Sequence, residues 1–321
     1  MKLNGFPQRS VAHRKLNVKI GIAGWSYPDW KGIVYPSGGS WSKLRYMAQF
    51  FAALEINSTF YRIPSTRVVD KWCAEVRSVQ DFTFSVKLFQ DFTHGENRGD
   101  NTGLGFTRNV SSFQRALLPI QQSGRLGAVL IQFPYSFHLN SKNLDYLKQL
   151  FKALEGSPLV VEVRHRSFLH KEFFDLLRRC EVGFVNLDQP PVSYSLGPTA
   201  ENTGPVAYVR FHGRNSAAWF DEHSSRDERY NYCYAGDELD EWVNRVEQLS
   251  NSARVVYVIF NNHFRGQEVV NALEFLHLWS EKPVPVPAPL KRVYPRLKEI
   301  ASEFSPRSSD ADDTLPLFPE R

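Results

Sequence analysis

The sequence predicts an α/β protein that forms a single (β/α)8 barrel of the TIM type. Short apolar runs rich in β-branched residues recur along the chain, and segments with helical periodicity separate most of them. This alternation is typical of parallel βαβ units. An open doubly wound sheet would be expected to carry a glycine-rich phosphate loop, and neither GxGxxG nor GxxxxGK[ST] occurs. The chain has 321 residues, which is enough for one such barrel.

The predicted strands are the apolar runs. Eight of them occur, and eight parallel strands are the number that closes a barrel of this type. They lie at residues 18–24, 54–57, 82–88, 126–133, 159–165, 182–188, 206–213 and 255–262.

Helical periodicity is clearest in four of the intervening segments, at residues 111–122, 144–154, 173–180 and 239–249. The connection between the sixth and seventh strands, residues 189–205, is instead rich in Pro, Gly, Ser and Asn. We therefore expect this one crossover to be an irregular loop rather than a helix.

The barrel is predicted to span residues 18–280, between a basic segment at 1–17 and a tail at 281–321. The composition changes at 281, where PVPVPAP begins soon after and eight of the 19 prolines fall in the last 41 residues. Such a proline-rich segment is expected to form either a strap or a disordered tail.

Composition and charge favour a protein of the reducing cytoplasm. The three cysteines, Cys73, Cys180 and Cys233, are odd in number and far apart, which predicts neither a disulfide framework nor a cysteine-rich zinc site. The basic N-terminal segment has no apolar core of a signal peptide, and no apolar run is long enough to span a membrane. The net charge of +5 mildly favours anionic partners.

The predicted pocket follows from alternation along the strands. In a parallel barrel successive residues face the lumen and the helix layer in turn, and functional groups come from the carboxyl ends of the strands. Taking the polar face of each strand as the lumen face predicts a pocket built from Glu55, Asn57, Lys87, Gln132, Glu162, Arg164, Asp188, Tyr208, Arg210, His212 and Asn261.

Two interpretations of these charges stay open. In the functional one, Lys87, Arg164 and Arg210 clamp an anionic substrate, because guanidinium groups match phosphate and carboxylate geometry. Glu55 and Glu162 then serve as general base and general acid. His212 is a second acid/base candidate. In the structural one, the same carboxylates and cations only neutralise one another, since unpaired buried charges are costly.

The sequence does not specify a cofactor, but its residues would allow a divalent metal. Glu55, Glu162, Asp188 and His212 offer oxygen and nitrogen ligands of the right type. No HExxH motif or ligand-dense helix accompanies them.

Aromatic residues follow the first strand and a polar loop follows the third. Trp25 and Tyr27 come directly after the strand and are candidates to contact a substrate, since such rings can stack on bases or sugars. The later rings are expected to pack the loop on the barrel rim, and these are Trp30, Tyr35 and Trp41. His94 lies in FTHGENRGDNTG, a loop that is long and polar enough to act as a lid.

Seven motifs in order give a resemblance to a known family. They are GWSYPDW at 24–30, EINSTFYRIP at 55–64, FTFSVK at 82–87, IQFP at 131–134, EVRHRSF at 162–168, YVRFHGR at 208–214 and VYVIFNN at 256–262. Over residues 24–271 the chain resembles the YecE-like family, the domain of unknown function seventy-two. The resemblance implies a TIM barrel and supplies no established reaction. The family's signature positions carry Trp25, Tyr27, Glu55, Asn57, Lys87, His94, Glu162, Arg164, His165, Arg210, His212 and Asn261 here.

The end of the chain carries a candidate peptide for partner binding. In DDTLPLFPER the apolar residues Leu315, Leu317 and Phe318 stand in a polar, proline-flanked segment. A short apolar cluster of this kind commonly docks into a groove of a partner. TLPLF resembles the QLxLF-type peptide that binds the bacterial DNA sliding clamp, with Thr314 in place of the usual glutamine.

Three functions follow from these observations. The leading one is an enzyme of hydrolase or lyase type that uses carboxylate acid/base chemistry on a phosphate-bearing or other anionic substrate, with nucleic acid as the favoured class. The second is a non-catalytic module that binds nucleic acid or protein and is recruited through its tail. The third is a metal-dependent phosphosugar or aldose-isomerase-like enzyme.

Overall fold

The computed structural model describes residues 17–38, 41–94, 103–192, 194–219, 221 and 223–303. Eight parallel strands close into one barrel in sequence order, with β8 paired to β1, which confirms the predicted fold. Each strand begins and ends within a few residues of the predicted run. The bounds are β1 Val18–Ala23, β2 Ala53–Ile56, β3 Thr83–Lys87, β4 Leu126–Gln132, β5 Leu159–Glu162, β6 Gly183–Asp188, β7 Val206–Phe211 and β8 Val255–Phe260.

Helices cover the outside of the barrel and include the four predicted ones, each somewhat longer than its periodic segment. The bounds are α1 Lys43–Ala48, α2 Ser58–Tyr61, α3 Thr66–Glu75, α4 Leu104–Gln122, α5 Ser141–Ala153, α6 Lys171–Arg179, α7 Ser216–Trp219, α8 Arg226–Arg229, α9 Gly236–Ser252, α10 Gln267–Ser280 and α11 Ala288–Val293. Short 3₁₀ turns follow several strands, at Pro28–Trp30, Gln90–Phe92, Arg166–Phe168 and Phe264–Gly266. These turns carry the chain across the barrel mouth.

Two apolar layers hold the barrel together. The outer one lies between strands and helices, and there residues such as Ile22, Val86 and Phe211 are fully buried. The inner one has fewer residues and fills the lumen, and it includes Ala53, Leu130 and Tyr208. Because these two sets alternate along each strand, the lumen residues at the carboxyl ends are fixed by the same parity.

Strand β6 departs from the predicted parity. Val185 and Leu187 face the lumen layer, so Asn186 and Asp188 face outward, and the prediction that Asp188 lines the lumen is wrong. Asp188 accepts from Arg214, Tyr234 and Trp242 on that outer side, and the described residues between β6 and β7 form no helix, as predicted. Asn186 uses its outward side chain to bond the backbone of Glu201 in that loop. An outer face covered by an irregular loop thus favours polar side chains.

The first part of the predicted tail is folded. Residues 281–303 form a strap that contains β9 Val284–Pro285, α11, a 3₁₀ turn at Pro295–Lys298 and β10 Ala301–Ser302, with β9 and β10 paired in parallel. Leu290 and Leu297 in this strap are fully buried. The predicted boundary at residue 280 is therefore too early, because the apolar residues after it belong to the core.

None of the described helices is long and apolar enough to cross a bilayer. Cys73, Cys180 and Cys233 are all free thiols.

Candidate active site

A pocket opens at the carboxyl ends of the barrel strands. Its volume is about 530 Å³, which suits a small organic molecule. Polar side chains from six strand ends and rings from the surrounding segments form its wall. The lining residues are Gly24, Trp25, Ser26, Tyr27, Asn57, Ser58, Tyr61, Trp72, Lys87, Gln132, Arg164, Arg210, Tyr230, Asn261 and His263.

Arg210 of β7 forms the floor of the pocket between two glutamates. Its Nε donates to Glu55 Oε2 at 3.0 Å and its Nη2 donates to Glu55 Oε1 at 2.6 Å, while its Nη1 donates to Glu162 Oε2 at 2.6 Å. Tyr208, two residues earlier on β7, places its hydroxyl 2.9 Å from Glu55 Oε2. All four side chains are almost completely buried. Arg210 is thus held by carboxylates rather than left free to clamp a substrate.

Glu162 is surrounded by side-chain nitrogen atoms of Arg210, Arg164 and His212. Burial would raise its pKa, but Arg210, His212 and Arg164 together hold the pKa of Glu162 well below its usual range. Arg164 Nε donates to Glu162 Oε1 at 3.1 Å, and His212 Nε2 lies 3.2 Å from the same oxygen. A carboxylate kept ionised has no proton to give, so this environment argues against Glu162 as the general acid.

His212 is neutral at physiological pH. Burial lowers the pKa of His212 to about 3 in spite of the neighbouring Glu162. The Asn261 amide nitrogen lies 3.1 Å from Nδ1, while Nε2 lies 3.2 Å from Glu162 Oε1 and 3.3 Å from Arg210 Nη1. His212 is therefore a neutral member of the buried hydrogen-bond network around Glu162.

The three expected catalytic residues all lie beneath the pocket rather than in its wall. Glu55, Glu162 and His212 are each 0 % exposed, and none of them is part of the lining. The two carboxylates are matched by the guanidinium groups of Arg210 and Arg164. The structural interpretation, an ion-pair network inside the barrel, therefore describes the floor.

Free donors nevertheless face the pocket. Arg164 uses Nε and Nη2 on Glu162, while its Nη1 donates no hydrogen bond within the described part of the chain. Gln132 accepts from Arg210 through Oε1 at 3.5 Å, which leaves its amide N–H groups toward the pocket. Asn57 and Lys87 add further N–H donors to the same wall. These donors suit an anionic or oxygen-rich ligand.

Aromatic rings form the other side of the pocket. Trp25 meets Trp72 of α3 edge to face, with ring centroids 5.9 Å apart. Tyr27 stacks on His263 at 4.5 Å, and Tyr230 lies 5.1 Å from His263 on the other side. These contacts fix the rings before any ligand binds.

The first loop can bring these rings to the strand end because it turns sharply. Gly24 has φ +97°, and a Cβ there would come within 2.8 Å of the Tyr27 hydroxyl. The later rings Trp30 and Tyr35 are buried, as the expectation that they pack the loop requires.

The remaining predicted residues lie elsewhere. Asp188 binds Arg214, Tyr234 and Trp242 outside the barrel and does not line the pocket. His94 is exposed, contacts the Phe60 ring at 5.0 Å and is also absent from the lining. The expected lid after His94 lies mostly outside the described residues, as do the peptide residues Leu315, Leu317 and Phe318.

The residues do not fit a divalent metal. Asp188 faces away from the pocket, and the oxygens of Glu55 and Glu162 are engaged by arginines. Across the described ranges no group of three or more His, Cys, Asp and Glu side chains is placed to hold a metal ion. We therefore derive no chemistry through a metal.

Several lining residues were missed from the sequence. His263 directly follows the Asn261-Asn262 pair after β8 and could have been found from that position. Trp72 and Tyr230 come from α3 and from the loop after α8, and neither carries a local signal. Tyr61, which is 62 % exposed, reads as an ordinary surface residue of a short helix.

A closed eightfold barrel with a charged pocket at the strand carboxyl ends defines a TIM-barrel protein with a candidate active site where such barrels carry it. The chain belongs to the family described as "Protein of unknown function DUF72", whose model matches residues 19–293. This confirms the resemblance seen in the motifs, and the match extends further at both ends.

Relatives and solved structures agree with this family assignment. The chain is 30% identical over 273 residues to the UPF0759 protein YunF of Bacillus subtilis, covering 81% of this chain and 94% of that protein. A crystal structure of a DUF72 family protein from Thermotoga maritima is 33% identical, with a TM-score of 0.72, and covers 82% of this chain and 99% of that one. A DUF72 family protein from Enterococcus faecalis, at 24% identity and a TM-score of 0.73, covers 82% of this chain and 95% of that one and shares the fold.

Proposed function

We propose that this protein is an enzyme that binds a small anionic substrate, phosphate-bearing or carboxylate-bearing, in the pocket above Arg210. The free Nη1 of Arg164 is the observation that carries the proposal. Its guanidinium is oriented by Glu162 on one side and lies 5.5 Å from the Trp219 ring on the other, so it is fixed before a ligand arrives. A fixed guanidinium with an unused donor is a strong anion-binding element.

The buried floor supports the same conclusion. Glu162 and Glu55 hold the arginines in place, and the water-poor surroundings strengthen every interaction made above them. Proton transfer in this arrangement passes through groups of the pocket wall, with the Glu162–His212 pair tuning the charge beneath them. Glu55 keeps its proposed role as base only if substrate binding displaces Arg210.

Phosphate-bearing substrates include nucleic acid, and the rings at the pocket mouth suit a base as well as a sugar. Trp25, Tyr61 and Trp72 line the same pocket as Arg164 and Arg210. The clamp-binding peptide remains a separate prediction for the tail.

The proposal is tested by calorimetric titration of the full chain with inorganic pyrophosphate and with a short single-stranded oligonucleotide. Arg164→Ala should weaken binding of the anion about tenfold or more, because a charged hydrogen bond contributes about 1.5–3 kcal/mol. The matched control is Arg179→Ala, an exposed arginine on α6 that lies away from the pocket. Equal affinity of wild type and Arg164→Ala for both probes would remove the anion site.

A binding module without catalysis is the second candidate. The observation that favours it is the complete burial of Glu55, Glu162 and His212 under the floor. Glu55→Gln separates the two when binding is measured beside function, since glutamine keeps one acceptor oxygen for Arg210 and Tyr208 but has no carboxylate. Full complementation of a deletion strain by this variant would favour binding alone, while loss of function in a folded variant with unchanged pyrophosphate affinity would favour catalysis.

A further inference from the structure

Lys87 is a lysine of the pocket wall, and its surroundings differ from those of an ordinary exposed lysine. It ends β3, and Thr59 of α2 fixes its backbone by donating to its carbonyl at 2.6 Å. Its Nζ lies 4.0 Å from the centroid of the Phe60 ring and borders the pocket. The side chain is thus surrounded by protein, with its tip partly open to the cavity.

The ammonium group of Lys87 has no ion partner among the described residues. The nearby carboxylates are Glu55 and Glu162, and both are bonded to Arg210 or Arg164 instead. Burial, followed by the positive charge of Arg210, lowers the pKa of Lys87 to about 7 against the partial opposition of the two glutamates. At neutral pH about half of these side chains are then free amines, compared with less than about one in a thousand for a lysine of pKa 10.4.

We propose that Lys87 is a nucleophile that forms an imine with a small carbonyl compound carrying a carboxylate or phosphate group. This inference rests on the proposed function, because Arg164 would hold the anionic group in the same pocket. A neutral amine beside a fixed guanidinium is the pairing that such a substrate needs.

The step balances without an added oxidant or reductant. The Nζ lone pair attacks the carbonyl carbon, a C–N bond forms, and the C=O π electrons move to oxygen. The oxygen takes up the protons that nitrogen and solvent supply and leaves as water, so carbonyl plus amine gives imine plus water.

The test is reductive trapping on the full wild-type chain. Glyoxylate and pyruvate are the probes, and cyanoborohydride reduces any imine to a stable secondary amine that peptide mass spectrometry assigns to a lysine. At pH 7 we expect Lys87 to be labelled at least about tenfold faster than the exposed Lys152 of α5, because far more of it is neutral. Labelling at or below the Lys152 rate would overturn the proposal.

A pH series and two variants complete the experiment. The labelling rate of Lys87 should rise with an apparent pKa of about 7, and a rise only near the pKa of Lys152 would contradict the proposal. Lys87→Arg keeps a cation and should abolish the adduct, while an unchanged adduct mass would show that another group reacts. Arg164→Ala should raise the glyoxylate concentration needed without preventing labelling. If Lys87 of Arg164→Ala is still labelled and the variant binds the anion as tightly as wild type, Lys87 remains the nucleophile and the proposed anion site at Arg164 is wrong.

Discussion

Two buried carboxylate–arginine clusters lie at the strand ends of this barrel. Inside the lumen, Arg210 joins Glu55 and Glu162. Outside it, Asp188 receives Arg214 through Nε and Nη2, with the shorter contact at 2.6 Å. The outer cluster is completed by the Tyr234 hydroxyl and the Trp242 indole N–H, which leaves the Asp188 oxygens fully used.

The difference between the clusters lies in what covers them. Asp188 is enclosed by α9 and the loop before it, so its pairing can only fasten that helix to β6 and β7. The Arg210 cluster has a cavity above it, with Arg164 and Lys87 on the border. Ion pairs at strand ends therefore do not by themselves mark a site, whereas ion pairs beneath an open cavity do.

The largest effect is expected for Arg210→Met, which leaves buried Glu55 without a cationic partner and leaves Glu162 with Arg164 alone. Breaking a buried pair in this way costs about 3–5 kcal/mol. Urea unfolding should show that loss, and pocket binding should fall with it. Adding Glu55→Gln should recover part of the stability, because Glu162 keeps Arg164 and no carboxylate is then left without a cation. No recovery would mean that Arg210 acts through packing alone.

Asp188→Asn should give a smaller loss that separates the two clusters. The substitution makes the hydrogen bonds at residue 188 neutral, and hydrogen bonds to charged groups contribute about 1.5–3 kcal/mol to stability. Because Asp188 does not line the pocket, pyrophosphate affinity and Lys87 labelling of the folded variant should equal those of wild type. A change in either, measured under conditions where the variant is fully folded, would show that the outer cluster is coupled to the pocket.

The smallest effect concerns Glu268, a fully buried residue of α10 that belongs to neither cluster. Burial raises the pKa of its carboxyl group well above the usual range. The folded protein therefore holds this proton more tightly than the unfolded chain, and the stability that this contributes is lost as the pH rises above about 4.5.

In Glu268→Gln this position has no titratable group, so the unfolding free energy of the variant relative to wild type should increase as the pH rises above about 5. Glu299→Gln, at an exposed position, is the control. Parallel pH curves for Glu268→Gln and wild type would contradict a raised pKa.

Most of the barrel could be predicted because strand burial leaves a clear mark in the sequence. Apolar residues at alternate positions of β2, β5 and β7 identified Glu55, Glu162 and Arg210 as lumen residues before any coordinates. The same rule failed at β6, because Asn186 and Asp188 on its outer face meet polar partners, the backbone of a loop and the Arg214 side chain. Alternation of apolar and polar residues predicts which side chains of a strand face the lumen only where the layer that covers its outer face is apolar.

The site was less predictable than the fold. Which cation stays free depends on competition among Lys87, Arg164 and Arg210 for two carboxylates, and a sequence does not fix those distances. The rings of Trp72 and Tyr230 reach the pocket from distant segments, where no local pattern marks them.

The strap at residues 281–303 decides where this chain tolerates deletions and fusions. Arg296 in the strap pairs with Glu274 of α10 and donates to the Tyr234 carbonyl at 3.2 Å. Tyr234 in turn accepts from the Gly213 N–H behind the pocket. Ending the chain at residue 280 would remove Leu290 and Leu297, uncover the core surface against which they pack and release this support. A reporter or affinity tag therefore belongs after residue 303, where its attachment leaves the barrel mouth intact.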